Sequence, residues 1–221
     1  MTVRFARILF VLAAPLLLAS CLLPGRFTAT LDIGGDRSFT FTYAGEAVVI
    51  DPSSAVRVSA EGSAEASLET DQPQEMAEAD RQRVIAALSR EVGFRAVEFV
   101  GENKFRIDYS ISGRLDRSFA FPVNLEGLAL IPWLVVEVRG DGTAQVSGHG
   151  FGDADGNSGS RNPNAPEPNR HRQGTFTLTT DAELVQHNSE RRAAPGGRSV
   201  LTWEVTPEPR PAPSALVRFA G

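Results

Sequence analysis

The sequence alternates apolar and polar residues in many short segments, and this pattern constrains the fold more than any other feature. The clearest segment is KFRIDYSISG, in which every second residue from Phe105 to Ile111 is apolar. Successive side chains of a β-strand point to opposite faces of its sheet, so this alternation predicts a strand with one buried face.

Two similar segments near the start of the chain, RFTATLDI and SFTFTY, flank Gly34 and Gly35. A glycine pair between two strands favours a tight turn, so these segments predict a hairpin whose first strand begins near Phe27. One face of this hairpin is apolar and the other carries threonines. The run AVVID follows, and we expect it to pair next to the hairpin.

Further alternating segments continue along the chain. FRAVEFV is expected to pair with KFRIDYSISG through a turn at residues 101–103, and WLVVEVRGDGTAQVSG predicts a hairpin around Asp141 and Gly142. LDRSFAFPV, GTFTLTT, SVLTWEV and ALVRF bring the total to roughly nine to eleven strands. Neighbouring strands joined by tight turns form antiparallel ladders.

One helix is predicted between these strands. Asp71 is a candidate N-cap with Gln74 in a capping-box position, and Gly93 is a candidate C-terminal stop. Apolar residues recur between them at helical spacing: Ala77, Val84, Ile85, Leu88 and Val92. We therefore predict the α+β fold class, as a meandering antiparallel β-sheet with one long amphipathic helix packed on it. The expected core centres on Val84, Leu88, Phe105, Ile107, Tyr109 and Trp203.

Residues 1–20 resemble a lipoprotein signal peptide. Two arginines precede an apolar run from Ile8 to Ala19, which is shorter than the about 20 residues that a membrane-spanning helix needs. The segment ends Leu-Ala-Ser-Cys, which resembles the bacterial lipobox. That resemblance implies that Cys21, the only cysteine, is acylated and becomes the first residue of the mature chain. Leu22 follows, where an aspartate would retain such a protein in the inner membrane, so the outer membrane is favoured.

The rest of the chain is interpreted as residues 21–26, a lipidated tether, and residues 27–221, a single α+β domain. Flexible loops are expected at 52–73 and 150–172, because both stretches are rich in small and polar residues. The formal net charge is −5. Removal of the signal segment, which contains two arginines and no acidic residue, would make the mature chain still more acidic. This charge argues against a nucleic-acid partner, which would require a basic face.

The sequence contains no recognisable catalytic set. No Gly-x-Ser-x-Gly motif is present, and the three histidines, His149, His171 and His187, fall at predicted strand ends or loops. Their spacing does not suggest zinc. We therefore predict no catalytic residue, no metal site and no cofactor. The alternative is an envelope hydrolase whose site is assembled from scattered residues such as Asp108 or Asp116.

The segment GHGFGDADGNSGSRNPN is a candidate calcium loop, because Asp153, Asp155 and Asn157 occupy alternating positions. An EF-hand loop has Gly at position six and Glu at position twelve, where this chain has Ser158 and Asn164. A looser calcium site remains an alternative to a plain polar loop.

Several segments resemble a lipoprotein family of sphingomonad-type alphaproteobacteria: CLLPGRFTATLDIGGDRSFTFTYAGE, GFRAVEFVGENKFRIDYSISGRLDRSFAFP, GTFTLTTDAELVQHNSE and LTWEVTP with PSALVRF. That family implies no catalytic residues. The extended repeat after the lipid cysteine and the late strand with Leu201, Thr202 and Trp203 also resemble LppM-type lipoproteins, which implies lipid recognition in the envelope.

These observations predict a membrane-anchored bacterial lipoprotein on the periplasmic side of the envelope. We expect it to be a non-enzymatic binding or scaffold protein, held at the membrane by its N-terminal lipid. Its ligand is expected to be a lipid, a glycan or another envelope protein.

Overall fold

The computed structural model describes residues 21–50, 76–122, 132–153 and 170–220. The described chain forms twelve strands and one α-helix, arranged as two sheets. In chain order the elements are β1 (Cys21–Ile33), β2 (Ser38–Ile50), α1 (Glu78–Arg90), β3 (Phe94–Gly101), β4 (Lys104–Arg114), β5 (Phe119–Phe121), β6 (Leu134–Val138), β7 (Thr143–Ser147), β8 (Gln173–Thr180), β9 (Glu183–His187), β10 (Arg191–Ala193), β11 (Ser199–Val205) and β12 (Ser214–Arg218).

The predicted single meander is replaced by two sheets. The larger has seven strands in the order β10-β11-β8-β1-β2-β4-β3, and the smaller has five in the order β5-β6-β7-β12-β9. The strands β1 and β8 run parallel, although Gln173 lies 147 positions after its partner Arg26 in the sequence. Alternation shows which face of a strand is buried but not which distant strand lies beside it, so the sequence could not predict this pairing.

The hydrophobic core lies between the two sheets, and aromatic rings fill much of it. The ring centres of Phe41 on β2 and Phe121 on β5 are 5.0 Å apart, and those of Tyr43 and Trp133 are 5.2 Å apart. Rings at these separations are in contact. All six residues predicted to form the centre of the core are buried, which confirms that prediction: Val84, Leu88, Phe105, Ile107, Tyr109 and Trp203.

The helix is shorter than the predicted segment. It begins after Ala77, whose side chain makes no capping hydrogen bond, and the predicted cap at Asp71 lies outside the described residues. Val84 and Leu88 are buried beside β3, whereas Val92 follows the helix and is 81% exposed. Gly93 has a φ of +105°, so it allows the reversal into β3. None of the described helices has both the length and the apolar character that a membrane span requires.

The first strand begins at Cys21 and not at Phe27, so residues 21–26 are part of the sheet and do not form a separate tether. Cys21 pairs with Ile50, and Leu22 pairs with Val49 with both side chains buried. The register of this pairing shifts between Pro24 and Phe27, which accommodates the proline within the strand.

The remaining differences between the structure and the predictions from the sequence are local. The residues AVVI of the predicted third run are the end of β2, and Asp51 lies outside the described residues. The strands β9 and β10 were not predicted because their alternation is short and mostly polar. The turn at 101–103 and the hairpin around Asp141 and Gly142 were predicted correctly. The predicted loop 52–73 lies outside the described residues, as do residues 154–169 of the other loop, whereas His149–Phe151 form a short 3-10 turn.

Candidate functional site

The outer face of the seven-stranded sheet carries an array of hydroxyl groups, which we call the hydroxyl face. The inward residues of its strands form the core, so the residues between them point outward. Aligned pairs place Thr202, Thr177, Thr30, Thr42 and Ser110 in one row across five strands. The rows on either side add further hydroxyls: Thr28, Thr40, Ser112, Thr175 and Thr179.

Direct hydrogen bonds connect some of these hydroxyls across the strands. Thr30 Oγ1 lies 2.6 Å from Thr42 Oγ1, and Thr40 Oγ1 lies 2.8 Å from Ser112 Oγ. A hydroxyl has one donor and two acceptor positions, so a paired hydroxyl keeps capacity for a ligand. Cross-strand pairs of this kind also stabilise the sheet.

An ion pair closes one end of the hydroxyl face. Arg198 donates to both carboxylate oxygens of Asp32, at 3.0 and 2.6 Å. This two-point contact uses the planar guanidinium and fixes the position of both side chains. The hydrogen bonds to Asp32 raise the pKa of Arg198, so the guanidinium stays charged.

A β-bulge shapes the other end of the hydroxyl face. Gly25 and Arg26 of β1 lie opposite the single residue Glu46 of β2, because the register shifts between Pro24 and Phe27. The bulge turns Arg26 outward, where its guanidinium donates to Glu46 at 2.7 Å and lowers the pKa of that carboxyl. A Cβ at Gly45 would lie 2.5 Å from Phe27 Cα, so only glycine fits there.

An open depression of about 580 Å³ lies beside this bulge. Its charged lining consists of two cations and two carboxylates, from Arg26, Glu46, Arg106 and Asp108, and Thr28 adds a hydroxyl. Arg106 pairs with Glu98 at 3.0 Å, whereas Asp108 has no ion-pair partner among the described residues. The depression therefore offers a carboxylate and several hydrogen-bonding groups to a polar ligand.

The two aspartates considered for hydrolysis are far apart. Asp108 is on the hydroxyl face, and Asp116 follows the last residue of β4, with Arg114 3.8 Å away. The strand rises by about 3.3 Å per residue, so about 20 Å separates Asp108 from the end of β4 at Arg114, next to which Asp116 lies. They cannot act on one bond together.

The three histidines do not converge either. His149 is exposed in its 3-10 turn, and His171 accepts a hydrogen bond from Arg170 at 2.9 Å. Burial and the charge of Arg170 lower the pKa of His171. Ser189 donates its backbone N–H to His187 Nδ1, and its hydroxyl lies 2.8 Å from the same atom. Within the described ranges no carboxylate is hydrogen bonded to His187. The contact between Ser189 and His187 therefore belongs to a local turn and does not form a catalytic triad.

Asp153, the first residue of the candidate calcium loop, is buried and paired with a cation. Its side chain is 2% exposed and accepts a hydrogen bond from Arg172, which is 4% exposed, at 3.3 Å. The other residues of the predicted loop, Asp155, Asn157, Ser158 and Asn164, lie outside the described part of the chain. In the described part, no three side chains of His, Cys, Asp or Glu are placed to share a metal ion.

The sequence indicated half of the hydroxyl face, because the threonines of the first hairpin alternate with its apolar residues. It did not indicate that TFTLTT in β8 would extend the same face, since that strand is distant in the chain. The signal that could have suggested it was the alternation of Thr175, Thr177 and Thr179 with apolar residues. The bulge was missed because its register shift depends on pairing.

The structure places Cys21 as the first residue of β1, at an end of the large sheet. The next residue is held firmly, because Trp133 Nε1 donates to the Leu22 carbonyl at 3.0 Å and this bond is buried. The backbone that follows the predicted lipidation site is therefore already part of the folded domain.

Comparisons with known proteins found little similarity. No protein-family model matches the chain, and no curated protein matches it. One solved structure with some similarity is the NMR structure of the folded domain of LppM from Mycobacterium tuberculosis. The two chains are 14% identical, the alignment covers 90% of this chain and 92% of that chain, and the TM-score is 0.34. The resemblance to sphingomonad-type lipoproteins stays a prediction.

Proposed function

We propose that this protein is a lipid-anchored, non-enzymatic protein of the bacterial envelope that binds a polar, hydroxyl-rich ligand such as a glycan. The observation that supports this most is the hydroxyl face, whose rows cross five strands. Hydroxyls donate and accept, and so do the hydroxyls of a carbohydrate. Two surfaces of this kind can pair without burying a charge.

The composition of the core supports an external ligand. Rings from both sheets are in contact between them, from Phe94 through Tyr109, Phe121 and Trp133 to Tyr43. A lipid chain bound inside would have to displace these rings, which already contact one another between the sheets. We therefore favour a ligand on the polar surface over a lipid in the interior.

The proposed anchor is the acylated Cys21 of the lipobox-like segment. Stable attachment takes more than one acyl chain, which a mature lipoprotein provides. The protein would then be held on the periplasmic side of the envelope, and Leu22 after the cysteine favours the outer membrane. Replacing Cys21 by Ala is expected to leave unprocessed precursor or release the protein from the membrane fraction. A variant that fractionates as the native protein does would contradict the anchor.

The ligand is tested by replacing hydroxyls with methyl groups of nearly the same shape. Thr30, Thr177 and Thr202 share one row, and a triple Thr→Val variant removes three hydroxyls while keeping β-branched side chains. A hydrogen bond contributes about 0.5–1.5 kcal/mol, so losing two or three should weaken glycan binding by about tenfold or more.

Binding would be measured by calorimetry with purified envelope polysaccharide and soluble peptidoglycan fragments. The matched control is Ser147→Ala, which removes a hydroxyl from β7 of the smaller sheet. Binding that is equal in the triple variant, or that depends on Ser147, would show that the hydroxyl face is not the site. Cleavage of the bound glycan would favour the hydrolase alternative.

A further inference from the structure

Several elements that are distant in sequence meet at the end of the molecule where β1 begins, which we call the anchor end. Cys21 pairs with Ile50, and the Val49 N–H donates to the Asn103 carbonyl at 2.9 Å. The Met76 N–H donates to the Asn103 side chain at 2.7 Å, so the segment that leads into α1 also starts here. The turn between β3 and β4 therefore lies beside the predicted lipidation site.

The opposite end of the molecule is equally well defined and is called the far end. It contains the turn between β1 and β2, where the Arg37 guanidinium lies 4.9 Å from the centre of the Phe219 ring. The Phe219 N–H donates to the Gly142 carbonyl at 3.0 Å, which places the turn between β6 and β7 there too. The thirteen residues of β1 run between the two ends and span about 40 Å at about 3.3 Å per residue.

We propose that the anchor end docks directly on the lipid headgroups, so that the domain stands upright with the strand β1 pointing away from the membrane. This inference rests on the acylation of Cys21 in the proposed function. The strand starts at the cysteine itself, so no flexible residue separates the acyl chains from the sheet. The hydrogen bond from Trp133 to the Leu22 carbonyl holds the next residue in place, so the domain cannot tumble on a linker.

The surface of the anchor end is compatible with a lipid interface. Val100, at the end of β3, is 36% exposed, and Leu23 and Met76 are half-buried. Lys104 beside them is paired with Glu102, so this cation needs no anionic lipid. Docking at this end is therefore expected to depend on the acyl chains and on the geometry of the strand, and little on ionic strength.

An upright domain presents the hydroxyl face sideways. The bulge at Arg26 is five residues from Cys21, and the row through Thr30 is nine residues from it, so this row stands about 30 Å from the anchor. The ligand of the hydroxyl face would then be an envelope component that extends outward from the membrane, and not a lipid headgroup within it.

The test compares two labels on the acylated protein. Because the native chain has only one cysteine and that residue would be acylated, an introduced cysteine can be labelled selectively. Val100→Cys places a bimane fluorophore at the anchor end. Gly140→Cys places it at the far end, where nothing lies within 4 Å of a Cβ, so the fold is not disturbed.

Both labelled proteins are purified from membranes and reconstituted in vesicles of phosphatidylethanolamine and phosphatidylglycerol that contain nitroxide-headgroup lipid. Quenching is expected to be several-fold stronger for Val100→Cys than for Gly140→Cys, at low and high salt. Equal quenching in protein that floats with the vesicles would overturn upright docking and leave the anchor intact. Failure of the purified protein to float with vesicles would overturn the anchor and this inference together.

Discussion

The ion pair between Asp153 and Arg172 is buried. It can be used to measure how much burial changes the contribution of an ion pair to the free energy of unfolding. Both side chains are at most 4% exposed, and 3.3 Å separates Arg172 Nη2 from Asp153 Oδ1. Arg172 Nη1 also donates to the Gly152 carbonyl at 3.1 Å. Replacing Arg172 by Met keeps an apolar stem and removes the cation. Breaking a buried pair in this way costs about 3–5 kcal/mol, and we expect that loss in the free energy of unfolding.

The chain contains a matched control for this substitution. Arg191 and Glu204 are 3.2 Å apart, almost the same distance, but their side chains are 71% and 58% exposed. Exposed pairs contribute about 0.2–1 kcal/mol. The substitution Arg191→Met removes the same group from a pair of nearly the same length, so the difference between the two variants reports the effect of burial together with the loss of the hydrogen bond to the Gly152 carbonyl.

Urea unfolding followed by tryptophan fluorescence would give the free energy of unfolding of each variant, Arg172→Met and Arg191→Met. The slope of the free energy against urea concentration should be the same in both variants, because the folded surface changes little. Adding Asp153→Asn to Arg172→Met should recover part of the loss, since both charges are then gone. A loss below about 1 kcal/mol for Arg172→Met, equal to that of Arg191→Met, would refute the argument from burial.

Two further substitutions and a titration test the packing of the core. Leu88→Ala should lower the free energy of unfolding by about 2–5 kcal/mol because Leu88 is fully buried. Val92→Ala should change it by less than about 0.5 kcal/mol because Val92 is exposed. Equal effects of the two substitutions in urea unfolding would show that the helix does not pack into the core. Burial, assisted by the charge of Glu91, raises the pKa of Tyr109 to about 12, and burial raises the pKa of Tyr43 well above its usual range. The unfolded chain should release both protons near pH 10, so stability should fall as pH rises from about 10 towards 12. Ultraviolet absorbance should detect no tyrosinate at pH 10 in the folded protein, and its appearance there with intact near-ultraviolet circular dichroism would contradict the burial of these rings.

Much of the local structure could be predicted because each strand carries its own pattern. In β4 the residues from Phe105 to Tyr109 alternate between the core and the solvent as the sequence indicated. A sheet with one buried face requires this alternation, so the pattern appears in the sequence before any pairing is known. The same reasoning identified the face of α1 that is buried at Val84 and Leu88.

Boundaries were predicted less well, because tertiary contacts override local signals. The alternation of apolar and polar residues begins at Phe27, and the sequence therefore indicated a first strand that begins near this residue. In the structure the Leu22 side chain is buried, and its carbonyl accepts a hydrogen bond from the indole Nε1–H of Trp133. These contacts extend β1 back to Cys21. The Trp133 contact comes from 111 residues further along the chain.

The alternating strands, the amphipathic face of the helix and the residues at the centre of the core could be predicted from the amino-acid sequence, because each of these depends on the side chains of one segment. The parallel pairing of β8 with β1, the shared face of their threonines and the ion pair between Asp153 and Arg172 are visible only in the folded protein. These features depend on which segments become neighbours. That choice is made by the packing of the whole core, so no single segment contains the information.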